Sequence, residues 1–338
     1  MQKSIDKETI VKAVEFLDNI PMQRLDFVPF GGEPLLEWEL LQFTTAQIQK
    51  YCEDKGIKLI NSVTTNGILL TEEKVKWLKS NRYYVVVSID GNETMHNTHR
   101  LLNSKEGSFS ATLRGLKELQ KQYLDGEYTV NVVVTSKNFY HLKESVKFLY
   151  EELDIKKISL AIDYFSQWED KADEFRAVHT ELVDYVTKLY QNGKRIDINL
   201  IDDKITLRIE SKCISCSFGE FKMAVSPSGT IYPCEKLIGN DSGTLSIGNV
   251  NSGFDLNKRA EILATRGNKT QECQDCAIKD RCFNSCGCTN YGLTGSINQT
   301  NGVLCFFQKL FVEMADKMAT KLQHEENSLF LEKFYFKT

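Results

Sequence analysis

The sequence predicts an α/β fold joined to a smaller, cysteine-rich second domain, and three observations carry that prediction. Helical and strand patterns alternate through the first two hundred residues, the alternation fails after about residue 195, and nine of the ten cysteines lie beyond that point. A chain of 338 residues exceeds one average domain and is long enough to bury a sizeable core.

The elements follow in order. "KETIVKAVEFLDNI" places apolar residues at helical spacing, "RLDFVPF" reads as a short strand, and "LLEWELLQFTTAQIQKYCEDKG" is an amphipathic helix that stops at Gly56. "IKLINSVTTNG", "YYVVVSIDG", "YTVNVVVTS" and "KKISLAID" are β-branched or apolar runs, with helices expected near 71–80, 108–124, 138–152 and 171–192. Parallel strands with crossover helices are the expectation, as a barrel or an open doubly wound sheet. Further on, "FKMAVSPSGTIYPC" reads as a hairpin around Pro227-Ser228-Gly229, and an amphipathic helix near 304–323 leads into the aromatic tail "NSLFLEKFYFKT".

Charge excludes two partner classes. With 42 basic and 46 acidic residues the net charge is -4, which gives neither a nucleic-acid tail nor a polybasic membrane patch. No apolar run approaches the ~18 residues of a membrane span, and the first residues lack the apolar stretch of a signal peptide. A cytoplasmic protein is expected. Thiols stay reduced there, so ten cysteines at short spacings read as metal or cluster ligands before they read as disulfides.

In folds of this class ligands bind at the carboxyl ends of the strands. Here those ends carry "PFGGEP", "TTNG" and "SIDG", each of which alone is an ordinary turn. Among the cysteines, Cys213/Cys216 and Cys273/Cys276 could form one zinc ribbon, but that leaves Cys234, Cys282, Cys286 and Cys305 without a role. Two sites of four ligands, zinc or 4Fe-4S, fit the set better.

From Cys216, twelve residues lead to Gly229 and four more to Cys234; Cys273-x2-Cys276-x5-Cys282-x3-Cys286 follows, with Cys305 beyond. This spacing closely resembles the SPASM domain of radical S-adenosylmethionine (SAM) peptide-modifying enzymes, which carries two auxiliary 4Fe-4S clusters. The resemblance implies that Cys213, Cys216, Cys234 and Cys286 hold the first cluster, and Cys273, Cys276, Cys282 and Cys305 the second. Cys52 is expected to be a packed thiol, and Cys288 is left without a role.

The resemblance extends to the first domain, which is similar to the partial (β/α)6 TIM-like barrel of radical SAM enzymes with its first strand missing. Its implied boundaries are 1–200 for the barrel, 201–310 for the SPASM domain and 311–338 for a C-terminal helix and tail. Gly31-Gly32-Glu33-Pro34 resembles the GGEP motif that receives the SAM amino group, and Glu33-Pro34 can open a helix at the same time. Ser88 and Asp90 occupy the strand end that contacts the SAM ribose, Thr65 and Asn66 sit at the neighbouring end, and Arg100 resembles an arginine that meets the SAM carboxylate. For Arg100 a surface ion pair is the competing reading. His96 and His99 are expected in the loop near that pocket rather than as a zinc pair.

One departure from the family matters. Radical SAM enzymes bind a third 4Fe-4S cluster through CxxxCxxC after the first barrel strand, and the 338 residues contain no such motif. Either the chain is a truncated copy or it is a natural derivative without the radical cluster; the retained SAM motifs favour truncation. As written, the chain is expected to be inactive as a radical enzyme and to leave "RLDFVPF" with an unpaired edge. The implied activity of a complete enzyme is maturation of a ribosomal peptide or a protein side chain, with an electron donor such as ferredoxin or flavodoxin. Glu235 falls where sulfatase-maturing enzymes carry a proton-accepting aspartate. That substitution tilts the reading from sulfatase maturation toward ribosomal peptides. The alternative class is a non-catalytic cluster-bearing scaffold or peptide-binding partner.

Overall fold

The computed structural model describes residues 4–210, 216–283 and 286–336. Six parallel strands form one sheet in sequential order: β1 (Arg24–Phe27), β2 (Lys58–Thr65), β3 (Tyr83–Ser88), β4 (Tyr128–Val134), β5 (Lys157–Ile162) and β6 (Asp197–Ile198). Their connections carry helices α1 (Lys7–Phe16), α2 (Trp38–Lys55), α3 (Glu72–Ser80), α4 (Glu93–Asn97), α5 (Phe109–Gln120), α6 (Leu142–Glu151), α7 (Ala172–Gln191) and α8 (Asn199–Glu210), the first ahead of β1 and the last after β6. Sequential order with every strand parallel is the barrel-like alternative of the two expected, since a doubly wound sheet would reverse its order at a switch point.

Register explains the burial. Thr65, Val87, Val130, Ile158 and Ile198 lie side by side across β2 to β6, and each is at most 1% exposed. This row is one continuous layer of the core, and the parallel pairing turns the carboxyl ends of all six strands to the same side of the sheet. α2 stops where expected, because Gly56 adopts φ 66 and returns its N–H to the carbonyls of Cys52 and Glu53. Cys52 is buried on that helix.

Three differences from the expected elements have physical reasons. The first strand ends at Phe27 rather than running through "VPF"; Pro29 has no N–H to give to a ladder, and Val28 and Phe30 are largely exposed. β6 is only two residues long, too short to leave a periodic pattern. α8 begins directly after β6, so helical structure persists beyond residue 195.

The second region is built on a four-stranded antiparallel sheet, in the order β10, β9, β8, β7: β7 (Ala224–Val225), β8 (Thr230–Tyr232), β9 (Gly248–Asn249) and β10 (Gly253–Phe254). The hairpin at Pro227–Gly229 is as expected, with Gly229 at φ 81 where a Cβ would lie 2.9 Å from Val250. Helices α9 (Leu256–Gly267), α10 (Gln271–Gln274) and α11 (Gly287–Thr294) follow, then α12 (Gly302–His324) and α13 (Ser328–Phe334). A small core of Phe218, Ile231, Ile247, Ile262 and Ile297 includes Phe16 from α1, whose ring meets Phe254 edge-on at 4.9 Å.

The expected boundaries at 200/201 and 310/311 each fall inside a helix, α8 and α12. α12 buries Phe307, Leu310, Phe311, Met314 and Met318 in the barrel core, and α13 adds Phe330 and Phe334. The aromatic end of the chain is thus part of the first core. Among the described residues no helix is long and apolar enough to cross a membrane.

Candidate functional site at the strand ends

Glu33 stands at the turn after β1, extended in backbone, and caps the 3-10 turn Pro34–Leu36 by accepting the N–H of Leu35 at 3.1 Å. The same carboxylate accepts the Thr65 hydroxyl at 2.8 Å and the Asn66 N–H at 2.7 Å. Three expected site residues from two strand ends therefore meet at one carboxylate. Gly31 and Gly32 precede it in open space: a Cβ built on either finds no protein atom within 4 Å, and neither has a backbone angle that demands glycine. No packing within the described chain explains the two missing side chains. They leave a stretch of bare backbone next to an anchored carboxylate, which is a cradle a ligand can enter.

The next strand end supplies Ser88 and Asp90. Ser88 is the last residue of β3, nearly buried, and its hydroxyl makes no hydrogen bond among the described residues. Asp90 has inward partners instead. Its carboxylate takes the Nε–H and Nη2–H of Arg100 at 2.7 and 2.9 Å, and the Val133 N–H at 2.8 Å. With the Asp90 side chain 2% exposed and Arg100 24% exposed, this is not the surface ion pair of the competing reading. A ribose contact by Asp90 would have to share an oxygen that already has a donor. Gly91 makes the turn possible, because at φ 99 a Cβ would sit 2.1 Å from that of Ser145.

His96 and His99 part company. His99 Nε2 lies 2.8 Å from the Thr135 hydroxyl at the end of β4. His96 is fully buried, and its Nδ1 accepts the Asp90 N–H at 3.2 Å. Burial, reinforced by the positive Arg100, pushes the His96 imidazolium down to about 4, so the ring is neutral near pH 7.

The cysteines gather in two places. Cys286 and Cys288 sulfurs are 3.4 Å apart, and Cys288 also hydrogen-bonds Cys234. Elsewhere the Thr300 hydroxyl lies 3.8 Å from the Cys273 sulfur and 3.6 Å from that of Cys305. Each gathering contains two cysteines that the family resemblance assigns to one cluster. Cys216 packs against the same small core as Cys234 and Cys286, Cys282 is buried, and Cys276 is half-buried. Cys213 lies outside the described residues. Among the described residues no three His, Cys, Asp or Glu side chains are closed around one point as a metal site; the fit to clusters is one of soft sulfur donors and of pairing.

Glu235 follows Cys234 and is largely buried. Its carboxylate meets Lys222 Nζ at 3.1 Å and the Cys234 thiol at 3.4 Å. Burial pushes this carboxyl up, but its own backbone N–H and Lys222 outweigh that and leave it below the ordinary carboxylate range. It is an ionised group able to accept a proton.

The cysteine segment is clamped to the barrel. Arg281 holds Asp316 of α12 through two bonds of 2.8 and 2.9 Å. The fully buried Lys204 of α8 donates to the Arg281 carbonyl and to Gln308 Oε1, both at 2.7 Å, and Gln308 in turn donates to the Tyr164 hydroxyl at 3.2 Å. Lys204, Gln308 and Thr300 are not legible in the sequence as site residues, because buried polar partners leave no spacing signature.

Residues 1–149 match the model of the Radical SAM superfamily. The chain is homologous to anaerobic sulfatase-maturating enzymes. It is 26% identical over 269 residues to the cysteine-type enzyme of Clostridium perfringens, covering 76% of this chain and 72% of that one. A radical SAM cyclopropyl synthase, TigE, of Paramaledivibacter caminithermalis is 20% identical over 95% of this chain and 65% of its own length. In structure, native anSMEcpe with bound AdoMet and Kp18Cys peptide superposes with a TM-score of 0.78 at 23% identity, over 95% of this chain and 91% of that one. The likeness establishes the TIM-like fold.

Proposed function

We propose that the chain is the scaffold of a radical SAM peptide or protein maturase, binding SAM at the ends of β1 to β3 and two auxiliary 4Fe-4S clusters in its cysteine-rich region. The observation that carries this reading is the convergence of Glu33, Thr65 and Asn66 beside the open Gly31-Gly32 backbone, at the rim where parallel α/β sheets bind ligands. Gly31, Gly32 and Glu33 would receive the amino group, Ser88 the ribose, and Arg100 the carboxylate. SAM and iron-sulfur chemistry together supply the hydrogen-abstracting power that no side chain has.

The two sulfur gatherings support the assignment of Cys213, Cys216, Cys234 and Cys286 to one cluster and of Cys273, Cys276, Cys282 and Cys305 to the other. Glu235 is the residue we assign to accept a substrate proton, with Lys222 holding it ionised and in place. The substrate class is a peptide or protein side chain, a ribosomal peptide in preference to a sulfatase, because glutamate stands where the sulfatase-maturing pattern has aspartate. An electron donor of the ferredoxin or flavodoxin type would serve the clusters, and the cytoplasm suits their thiolates.

The 338 residues contain no CxxxCxxC, so we expect this chain by itself not to cleave SAM under reductant. Anaerobic purification followed by iron, sulfide and SAM-binding measurements tests the reading. About eight irons and eight sulfides per chain, with saturable SAM binding and no cleavage, is the expected result. Stoichiometric zinc without sulfide would refute the clusters, and SAM cleavage would refute the inactivity. Clusters without SAM binding would favour a cluster-bearing scaffold or peptide-binding partner.

A further inference from the structure

We propose that Asp90, His96 and Ser108 form a closed hydrogen-bonded ring whose task is to position Arg100 for the carboxylate of the bound SAM. The inference rests on the SAM-site reading above and goes beyond it by giving Asp90 a role other than ribose contact.

The ring can be followed bond by bond, and its proton positions are mutually consistent. The Asp90 N–H donates to His96 Nδ1 at 3.2 Å, which requires that Nδ1 be bare and that a neutral imidazole carry its proton on Nε2. Nε2 lies 3.0 Å from the Ser108 hydroxyl and donates to it. That hydroxyl donates onward to the Arg100 carbonyl at 3.0 Å, where the Ser108 N–H also arrives at 3.1 Å. The Arg100 guanidinium closes the circuit on both oxygens of Asp90. The arginine is therefore held at both ends, by its carbonyl and by its fork.

Burial makes the ring rigid. Asp90, His96 and Ser108 are 1%, 0% and 4% exposed, while the Arg100 side chain is 24% exposed and is the part that reaches the surface. Glycines enforce the path on either side: a Cβ at Gly107, next to Ser108, would lie 2.2 Å from the Asn97 amide, whose oxygen accepts the Phe109 N–H at 3.1 Å. A guanidinium has five N–H donors, and Asp90 takes two of them. Nη1 makes no hydrogen bond among the described residues. The remaining edge can grip a second carboxylate as a fork without giving up the first.

Asp90 accordingly acts through Arg100, and the two readings of Asp90 separate in a binding experiment. The full chain, purified anaerobically, is dialysed to equilibrium against SAM and, separately, against 5′-methylthioadenosine, which keeps the adenine and ribose but lacks the amino-acid carboxylate. Asp90→Asn should weaken SAM binding by about tenfold or more and leave 5′-methylthioadenosine within about twofold. Arg100→Lys should do the same, and the double variant should be no worse than the worse single, since both remove one interaction. Equal loss of both ligands in Asp90→Asn would make Asp90 a ribose contact and overturn the proposal. So would unchanged SAM affinity, or additive losses. If melting shows that Asp90→Asn does not fold, Ser108→Ala decides instead: it removes one hydroxyl and keeps the ion pair, and SAM affinity alone must fall. Wild-type protein that binds neither ligand would instead sink the SAM-site reading on which the ring depends.

Discussion

The Glu33 carboxylate accepts the backbone N–H of Asn66 at 2.7 Å while its other oxygen accepts the Thr65 hydroxyl, so the turn after β1 is tied to the end of β2 by one side chain. Sequence places these residues thirty-odd positions apart, and only parallel pairing of β1 with β2 brings their ends to the same rim. The carboxylate is thus both a structural clasp and the charge beside the glycine cradle.

Glu33→Gln should expose that double duty. An amide has one acceptor oxygen, and in either orientation its NH2 faces a donor, Asn66 N–H or the Thr65 and Leu35 pair. We expect a loss of about 1–3 kcal/mol in urea unfolding, together with weaker SAM binding. Unchanged stability would mean that the clasp is not formed in solution.

Gly32→Val should separate stability from ligand binding. A Cβ there meets no protein atom within 4 Å, so unfolding free energy should stay within about 0.5 kcal/mol of wild type. SAM binding, measured by equilibrium dialysis, should fall by at least tenfold, an estimate for a branched side chain placed against a ligand's path. Full retention of binding would remove the glycine pair from the site.

Cys288 and Cys273 should differ in iron content. Cys288 touches both Cys234 and Cys286 yet stands outside the eight assigned ligands. Cys288→Ala should therefore keep about eight irons per chain, whereas Cys273→Ala should retain about four. Iron and sulfide analysis with low-temperature electron paramagnetic resonance reads both. Loss of four irons from Cys288→Ala would make it a ligand.

Lys204→Met tests the clamp between barrel and cysteine region. The ammonium is 0% exposed and donates to the Arg281 carbonyl and Gln308. Its loss strands the Arg281 carbonyl, while Gln308 Oε1 keeps the Phe283 N–H at 3.2 Å, and we expect about 1–3 kcal/mol of destabilisation. Iron should also be lost faster to a chelator, since Cys282 follows Arg281 directly. A melting curve and a chelation time course check the two effects.

Legibility followed the length scale of the signal. β2 to β5, α2, α7 and α12 were readable because each repeats its apolar period over several turns or pleats, and Cys52 because it lies on the packed side of α2. The cysteine spacings and the GGEP stretch were readable as local strings. β6, with two residues, and α4, with five, are too short to show a period. The Asp90–Arg100 bond and the His96–Ser108 link were illegible for another reason. They join a strand end to a loop through tertiary geometry, and either aspartate or arginine alone looks like an ordinary solvated charge. α12 looked like the start of a tail because nothing in an amphipathic pattern says which core it will cover.

His179 of α7 gives a prediction with a definite sign. Its ring is sandwiched by Phe175, 5.9 Å between centroids, and Phe311, 5.0 Å away. It is 1% exposed, and neither nitrogen has a hydrogen-bond partner. Burial alone pushes its imidazolium from the ordinary 6.5 down to about 4. The neutral ring is therefore what the fold accepts, and the unfolded chain binds the proton first as pH falls. The stability that depends on neutrality is complete above about 6.5, declines through the interval, and is gone below about 4, a total of roughly 3 kcal/mol. His179→Leu keeps the volume and removes both stranded nitrogens, so it should be about 1 kcal/mol more stable at pH 7.5. Urea midpoints at pH 7.5 and pH 5 should then diverge: wild type loses more than the variant on acidification, and the gap between them widens. Parallel loss in both proteins would show that His179 finds a proton partner in solution that the packed aromatic environment does not supply.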